Sequence, residues 1–170
     1  MPASPDDLFA FLDQHGLAHE TRWHEATFTV EEGRDLKASM PGGHTKNLFM
    51  KDKDGVIVLI SAHADSELKL NRLHKLISTR RLSFASAELM AECLGVTPGS
   101  VTAFALLNDT EHRVRFIVDA ELMRHDPLNF HPLVNTATTA IPREAFRKFV
   151  ALTGHEMTEV DFATLVSAER

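Results

Sequence analysis

This sequence has one cysteine, no tyrosine and no excess of basic residues. Cys93 is the single cysteine among 170 residues, so the chain can form neither an internal disulfide nor a zinc site built from thiolates. This usage suits a reducing compartment, and we expect a cytoplasmic protein. Acidic residues outnumber basic ones by 24 to 18. The net charge of −6 argues against a protein that coats DNA, which needs a large basic surface.

Long hydrophobic runs are also missing. The longest aliphatic run covers residues 56–60, whereas a bilayer span needs about 20 apolar residues. The amino terminus carries Asp6 and Asp7 where a signal peptide carries basic residues. We therefore expect neither a membrane segment nor a secretion signal.

Capping residues and apolar spacing predict five helices in a chain that we expect to form one domain over residues 1–170. Ser4 with Asp7 and Thr29 with Glu32 have the spacing of a capping box. The predicted helices lie between Ser4 and Gly16, from residue 30 to about 38, over 70–77, from 86 to 94, and from Pro142 to Gly154.

The strands are predicted mainly as hairpins. One hairpin joins residues 47–51 to 56–61 through a polar turn with Gly55, and a second joins 101–107 to 113–118 around Asn108 and Asp109. Residues 18–25 and 133–141 are further predicted strands. Because hairpins do not fit a purely parallel sheet, we expect an α/β fold. Its sheet should be mixed and mostly antiparallel, with about six or seven strands surrounded by helices.

Three segments carry candidate chemistry. Residues 41–49 place a glycine pair, which allows close backbone approach, just before Lys46, a point charge suited to phosphate. The alternative is a turn followed by a strand with a solvated lysine. Residues 95–102 contain a Pro-Gly turn whose N–H groups would hold a carbonyl oxygen or oxyanion, although an ordinary helix-to-strand connection is the alternative. Residues 129–139 combine His131 and Asn135 with several hydroxyls, and a purely structural histidine is the alternative.

Other common chemistries find little support. Neither a Walker loop nor a G-x-G-x-x-G motif is present. The pairs His63 with Asp65 and His125 with Asp126 do not make a tetrahedral set, so no metal site is predicted. Cys93 lies in an apolar helix and is interpreted as a core residue.

Taken in order, these segments resemble the prolyl-tRNA editing (YbaK/aminoacyl-tRNA deacylase) family, and in particular the free-standing bacterial proteins that deacylate alanyl-tRNA(Pro). The similarity runs over nearly the whole chain. The matching motifs are residues 28–32, 43–49, 75–76 with 81–85, 95–102, and 129–138. The family's G-x-x-x-P loop falls on residues 99–103, where this chain has Ala103 in place of the usual proline.

The resemblance implies an editing-domain fold and a hydrolase that removes alanine from mischarged tRNA(Pro) in trans, without a cofactor. Synthetase pockets discriminate poorly against a smaller amino acid, so a second, hydrolytic site removes the wrongly attached residue. The implied partners are the aminoacylated acceptor end of tRNA(Pro) and, transiently, prolyl-tRNA synthetase, with no membrane and no DNA. An acidic protein is compatible with this substrate because only a local basic patch need touch the RNA.

Residue roles follow from the resemblance together with the chemistry of the ester. The family's key lysine falls on Lys46 and a family histidine on His131. Lys46 would hold the terminal phosphate or ribose, the Gly99 loop would polarise the ester carbonyl, and His131 would orient the substrate amine or the loop. The expected catalytic residues are Lys46, Gly99 and His131; the substrate-binding residues are Val30, His44, Asn47, Ser100, Val101, Asn135 and Thr136; the tRNA-binding residues are Lys51, Arg80 and Arg81.

Two other functions stay open at the level of sequence. One is a non-catalytic module that binds an RNA end or a nucleotide on the same fold, for which Ala103 leaves room. The other is an editor of another small residue, cysteine or serine.

Overall fold

The computed structural model describes residues 1–26 and 30–167. Six α-helices and eight β-strands are found in these ranges. The helices are α1 (Pro5–Gln14), α2 (Val30–Ser39), α3 (Leu70–Ile77), α4 (Ala87–Leu94), α5 (Arg143–Leu152) and α6 (Ala163–Ser167). The strands are β1 (Glu20–Trp23), β2 (Gly43–Lys51), β3 (Ile57–His63), β4 (Ser83–Phe84), β5 (Val114–Asp119), β6 (Leu128–Phe130), β7 (Ala137–Ile141) and β8 (Met157–Val160).

The strands form one sheet in the order β1-β7-β6-β2-β3-β5-β8, with β4 added beside β2. Four pairings are antiparallel, namely β1 with β7, β6 with β7, β2 with β3 and β2 with β4. Three are parallel, namely β2 with β6, β3 with β5 and β5 with β8. The predicted mixed and mostly antiparallel sheet is confirmed, with eight strands where about six or seven were expected.

Local capping signals fix several helix ends. The Ser4 hydroxyl accepts a hydrogen bond from the Asp7 N–H, and the Asp7 carboxylate accepts one from the Ser4 N–H, so the predicted capping box of α1 is confirmed. Ser86 caps α4, and Gly95 ends it with a φ of +66°. Thr29, the predicted cap of α2, lies outside the described residues. No described helix is both long and apolar enough to cross a membrane.

The hairpin of β2 and β3 is held by its own turn. One carboxylate oxygen of Asp52 accepts hydrogen bonds from the N–H groups of Asp54 and Val56, each 2.9 Å long. Gly55 has a φ of +90°, which a residue with a Cβ adopts only at a cost. The predicted first hairpin is therefore confirmed.

The sheet separates two apolar layers because side chains alternate along each strand. Phe49 and Leu59 point into the larger layer, whereas Met50, Val58 and Ile60 point into the smaller one. The larger layer packs α1, α4 and α5 around a group of phenylalanine rings, and the smaller one packs α3 and α6. Both faces of the central strands are therefore covered.

The second predicted hairpin is wrong. Residues 101–107 do not form a strand; Ala103–Asn108 is a 3-10 helix that begins after Thr102, whose hydroxyl accepts from the Phe104 N–H. The run is buried on all sides, and an unbroken apolar run does not show the period that separates a strand from a helix. β5 pairs in parallel with β3 instead.

Other differences concern short elements. The predicted strand over 133–141 is confined to Ala137–Ile141, since Leu133 adopts a φ of +70° that ends extended backbone. The strand expected over 18–25 covers Glu20–Trp23. β6, β8 and α6 were not predicted, because three to five residues carry too little periodicity to be recognised.

A buried histidine–carboxylate hydrogen bond ties the start of β5 to the loop after α5. The Asp109 carboxylate accepts from the N–H groups of Arg113 and Val114 at 3.0 and 2.9 Å, and lies 2.8 Å from Nε2 of His155. The side chains of His155 and Asp109 are 3% and 1% exposed. Removing one member of such a pair leaves the other buried without compensation.

We expect Asp109→Ala to lower the free energy of unfolding by about 3–5 kcal/mol. The matched control is Glu92→Ala, which breaks an exposed pair with Arg113 and should cost less than about 1 kcal/mol. Urea denaturation of the two variants and the parent measures both values. Equal effects of the two substitutions would contradict a structural role for the buried pair.

Candidate active site

A small cavity of about 180 Å³ lies where α2 passes over the ends of β2, β6 and β7. It combines histidines, hydroxyls and an amide with apolar side chains. Its lining residues are Gly33, Leu36, Lys37, His44, Thr45, Ala64, Asn129, Phe130, His131 and Thr138. We call it the first cavity.

The first cavity exists because β2 and β6 approach closely. Gly43 and His44 pair in parallel with Leu128 and Asn129. A Cβ on Gly42, whose φ is +106°, would stand 2.1 Å from the Pro127 carbonyl oxygen, so a side chain at this position is excluded. The close backbone approach predicted at the glycine pair is therefore between Gly42 and the Pro127 carbonyl of the same chain.

His44 lines the first cavity, and one of its ring nitrogens is already hydrogen-bonded to the protein. Nε2 donates to the Met40 carbonyl oxygen at 2.8 Å, so Nδ1 is the acceptor in the neutral ring. Burial lowers the pKa of His44 from its usual 6.5, against the opposing effect of the Met40 hydrogen bond, and electrostatic interactions with Lys37 and His63 lower the pKa further. His44 is therefore neutral at pH 7.

His131 likewise has one ring nitrogen that is hydrogen-bonded to a backbone carbonyl. Nδ1 donates to the Ala137 carbonyl oxygen at 3.0 Å, which leaves Nε2 as the acceptor in the neutral ring. The His24 ring lies 6.5 Å from it, between centroids, and its Nε2 is 2.8 Å from the Thr138 hydroxyl. The cavity wall formed by β7 is thus contacted by two histidines, His24 just after β1 and His131 in the loop before β7.

Asn129 was missed as a site residue, although it belongs to the motif that contains His131. Its side-chain Nδ2 donates to the carbonyl oxygens of Pro41 and Gly43, at 3.2 and 3.4 Å. Its Oδ1 is buried and has no hydrogen-bond partner. Its backbone carbonyl accepts from the Thr45 hydroxyl at 2.8 Å. Proximity to His131 in the sequence was the one signal that pointed to it.

Lys46 lies beside the first cavity rather than in its wall. Its ammonium donates to the Ser66 carbonyl oxygen at 2.5 Å, and the Ser66 hydroxyl donates to Asp119 at 2.5 Å. Ser66 and Asp119 line a second, acidic cavity of about 350 Å³ together with Glu67, Glu121 and Asp161 among others. Because Lys46 and His44 are two residues apart on β2, they share one face of the sheet.

The Pro98-Gly99 turn contacts the 129–139 segment at Asn135, which does not line the first cavity. A Cβ on Gly99 would stand 3.2 Å from Nδ2 of Asn135. The N–H of Ser100 donates to the Thr97 carbonyl oxygen, so it is not free to bind a substrate oxygen. The structure therefore brings Gly99 and Asn135 together, apart from the residues that line the first cavity.

The remaining predicted substrate-binding residues whose side chains the structure describes also lie outside the lining of the first cavity. Val101 packs against the larger apolar layer, and Thr136 is exposed. Asn47 accepts from the Ser61 hydroxyl at 2.5 Å and donates to Thr45 at 3.2 Å, so it supports the cavity wall indirectly. The side chain of Val30 lies outside the described residues.

The predicted basic patch is at the far end of β2. Lys51 pairs with Ser83, close to Arg81 in the chain. At about 3.4 Å per residue, Lys51 lies about 17 Å along the strand from Lys46. Arg80 is bound to the hairpin turn through its N–H to Asp52 and its Nε to Asp54 at 3.3 Å.

The lowered pKa of His44 predicts a dependence of stability on pH. The unfolded chain takes up a proton at His44 near pH 6.5, whereas the native state does so only at lower pH. Acidification from pH 7.5 to 5.5 should therefore destabilise the parent more than His44→Gln, which keeps a donor for the Met40 carbonyl. Chemical denaturation across this range measures the difference, with His15→Gln as a control at an exposed ring. An equal loss in the parent and His44→Gln would contradict the prediction.

Comparison with known proteins shows the family and the fold to which this chain is similar. The family described as "Aminoacyl-tRNA editing domain" matches residues 24–149. The chain is 35% identical to prolyl-tRNA synthetase associated domain-containing protein 1 of Danio rerio, over 92% of this chain and 86% of that protein. It is 28% identical to the prolyl-tRNA editing protein ProX of Acetoanaerobium sticklandii, over 91% and 94%.

The fold is shared with a solved structure of a proposed trans-editing enzyme for prolyl-tRNA synthetase. The TM-score is 0.68 at 16% identity, over 95% of this chain and 99% of that one. Since the family match covers most of the sequence and the relatives align along nearly all of it, this chain belongs to the aminoacyl-tRNA editing domain family.

Proposed function

We propose that this protein hydrolyses Ala-tRNA(Pro) in trans, with the first cavity as the site for the alanyl group. The observation that carries the proposal is a small cavity between His44 and His131 at the end of β2 that also bears Lys46. The name of the ProX relative, a prolyl-tRNA editing protein, supports an editing reaction, and the choice of alanine is part of the proposal. The proposed location is the cytoplasm, where prolyl-tRNA synthetase would release the mischarged tRNA during brief contact.

The proposed reaction needs no covalent nucleophile, because an aminoacyl ester is already activated. Water adds to the ester carbonyl and the acyl C–O bond breaks. The products are alanine and a tRNA whose terminal ribose hydroxyl has regained a proton. A neighbouring ribose hydroxyl would position the water, so the chain's own task is to hold both ends of the ester.

Lys46 is the proposed anchor for the nucleotide. Its Cα lies about 7 Å from that of His44, since the two residues are separated by two steps along β2. The half-buried ammonium is held by one carbonyl, that of Ser66. An anionic phosphate or a ribose oxygen is a stronger or equal acceptor, so the ammonium would move from Ser66 to the bound substrate.

The Gly99 loop, which was expected to polarise the ester carbonyl, is not among the residues that line the first cavity, so the proposed site does not include it. The Ser100 N–H of that loop is also bonded to the Thr97 carbonyl oxygen. His131, which lines the first cavity, would orient the substrate amine through Nε2.

The apolar part of the first cavity favours alanine. Leu36, Ala64 and Phe130 supply the apolar lining against which the methyl group would pack. Discrimination against proline requires that its ring overlap this wall, since overlap in a packed site costs more than the loss of one methylene.

The proposal predicts that the purified protein cleaves Ala-tRNA(Pro) and spares Pro-tRNA(Pro). It also predicts that Lys46→Ala lowers kcat/KM for Ala-tRNA(Pro) by about 10- to 100-fold, as expected for the loss of one hydrogen bond to a charged group. Release of labelled amino acid measures both. Lys148→Ala removes an exposed lysine on α5 and is the matched control. Cys-tRNA and Ser-tRNA in the same panel test the other small residues.

Three outcomes would overturn the assignment. Binding of Ala-tRNA(Pro) without loss of the ester indicates the non-catalytic module. Comparable hydrolysis of Pro-tRNA(Pro) contradicts the size argument. Turnover near that of the parent in a folded Lys46→Ala variant contradicts the role of Lys46.

The basic patch at the far end of β2 is proposed to hold the acceptor stem. Arg81 and Lys51 are exposed, whereas Arg80 already faces Asp54. A local patch must act alone because the net charge of −6 gives no long-range attraction. A contact about 17 Å from Lys46 along the strand adds affinity for tRNA without touching the ester.

Arg81→Ala should therefore raise KM for Ala-tRNA(Pro) and leave cleavage of alanyl-adenosine unchanged. The slope of log affinity against log salt, expected at about −2 to −3 for the parent, should become shallower by about 0.7. Steady-state kinetics with both substrates, beside Lys148→Ala, measure the separation. Equal damage to both reactions would show that Arg81 serves the structure or the active site.

A further inference from the structure

One residue with a permanent positive charge lines the first cavity in the part of the chain that the structure describes. This residue is Lys37, in the last turn of α2, and it lines the cavity together with Gly33 and Leu36. Residues three and four positions apart share one face of a helix. Lys37 is exposed, so its ammonium is accessible to a group that enters the cavity. Among the described residues, no acceptor forms a hydrogen bond or an ion pair with this ammonium.

The turn of α2 that carries Lys37 is fixed against β2 by hydrogen bonds on both sides of Met40. The Met40 N–H donates to the Leu36 carbonyl at 3.0 Å, and the Met40 carbonyl accepts from His44 Nε2 at 2.8 Å. Met40 itself is buried. Burial is the main cause of the lowered pKa of His44, and the electrostatic interaction with Lys37 lowers this pKa further. The base of the Lys37 side chain is therefore held beside His44.

Other donors of the first cavity are already bonded to acceptors of the protein itself. The Thr45 hydroxyl donates to the Asn129 carbonyl, and Asn129 Nδ2 donates to two further backbone carbonyls. The Ala64 N–H donates to the His44 carbonyl at 2.8 Å. His131 donates through Nδ1 to a backbone carbonyl, and its Nε2 can donate only when the ring is protonated. Lys37 is thus the lining residue on which a permanent charge and unused donors coincide.

Hydrolysis of an alanyl ester in this cavity places negative charge on one oxygen. Water adds to the carbonyl carbon, and the C=O electron pair moves to the carbonyl oxygen. The pair returns when the C–O bond to the ribose breaks, and the ribose oxygen leaves with a proton lost by the water. We propose that the Lys37 ammonium binds the carbonyl oxygen and stabilises this negative charge, staying protonated throughout. The proposal rests on the proposed function, because it takes the alanyl ester as the ligand of the first cavity.

Two other donors compete for this role, and neither lines the first cavity. The Lys46 ammonium lies beside the cavity, on the Ser66 carbonyl. In the Gly99 loop, the Ser100 N–H is bonded to the Thr97 carbonyl. Lys46 would therefore hold the nucleotide, and the lysine of α2 would act on the ester carbonyl.

The first test uses alanyl-adenosine, which contains no phosphate. Lys37→Met keeps an unbranched side chain of similar length without the charge, and it should lower kcat by about 100-fold, as expected for the loss of one oxyanion donor. KM should change by less than about threefold, because the interaction forms in the transition state. Lys37→Arg keeps the charge and should restore most of kcat. Arg34→Met removes an exposed cation of the same helix that does not line the cavity, and it is the matched control.

The same substrate with a 5′-phosphate separates a carbonyl contact from a phosphate contact. If Lys37→Met impairs only the phosphate-bearing substrate, and through KM, Lys37 binds a phosphate and the proposal is wrong. A kcat near that of the parent in Lys37→Met, or an equal loss in Arg34→Met, would also overturn it.

An NMR titration tests the position of the ammonium without any substrate. Lys37→Met should raise the pKa of His44, because a positive charge that lowers it is removed. Arg34→Met should leave the pKa of His44 unchanged. An unchanged pKa of His44 in Lys37→Met would place the ammonium away from the cavity and contradict the proposal.

A binding measurement separates this proposal from the proposed reaction. Two adenosine analogues are compared: a 3′-linked 1-aminoethylphosphonate, whose tetrahedral group is anionic, and the neutral 3′-amide of alanine. The parent should bind the phosphonate more tightly, and Lys37→Met should lose about 10- to 100-fold of that preference, whereas Arg34→Met should keep it. If Ala-tRNA is not cleaved but the preference depends on Lys37, the reaction alone is wrong. If Ala-tRNA is cleaved and the preference survives in Lys37→Met, the role of Lys37 alone is wrong.

Discussion

The close backbone contact between β2 and β6 is the constraint on which the site depends. Gly42 lies against the Pro127 carbonyl, and the Gly43 N–H donates to that same oxygen at 2.8 Å. This pairing joins the β1-β7-β6 part of the sheet to the β2-β3-β5-β8 part. It also brings His44 beside Asn129, 85 positions further along the chain. A side chain at position 42 would collide with the Pro127 carbonyl, so the close approach of the residues just before β2 and β6 requires glycine there.

Around this junction, the fold keeps polar groups of different kinds apart. Asn129, His44 and His131, which line the first cavity, each have an N–H group bonded to a backbone carbonyl, and Lys37 adds a cation to the same lining. The Lys46 cation is kept just outside it, on the Ser66 carbonyl. The exposed cations Lys51 and Arg81 lie at the other end of the strand. One strand therefore spans the distance from the first cavity, the proposed site of the alanyl group, to the exposed cations proposed to bind phosphates.

Local sequence signals predicted those elements whose ends are fixed by neighbouring residues. The capping box of Ser4 and Asp7 and the turn at Gly55 depend only on hydrogen bonds within a few positions, so they are visible in sequence. The Ala103–Asn108 segment is different, because its apolar residues are buried whichever backbone they adopt. Packing against the larger apolar layer, not local preference, made it a 3-10 helix.

The sequence by itself determined the class of fold, the family resemblance and the presence of Lys46, His44 and His131 in motifs, because these depend on residue types and short spacings. Tertiary structure alone decided which of them meet. It placed Gly99 against Asn135 instead of among the residues that line the first cavity. It also left Asn129 Oδ1 unpaired, since that depends on β2 and β6 pairing across more than eighty residues. Whether a buried polar atom has a partner is set by long-range contacts, which no local pattern records.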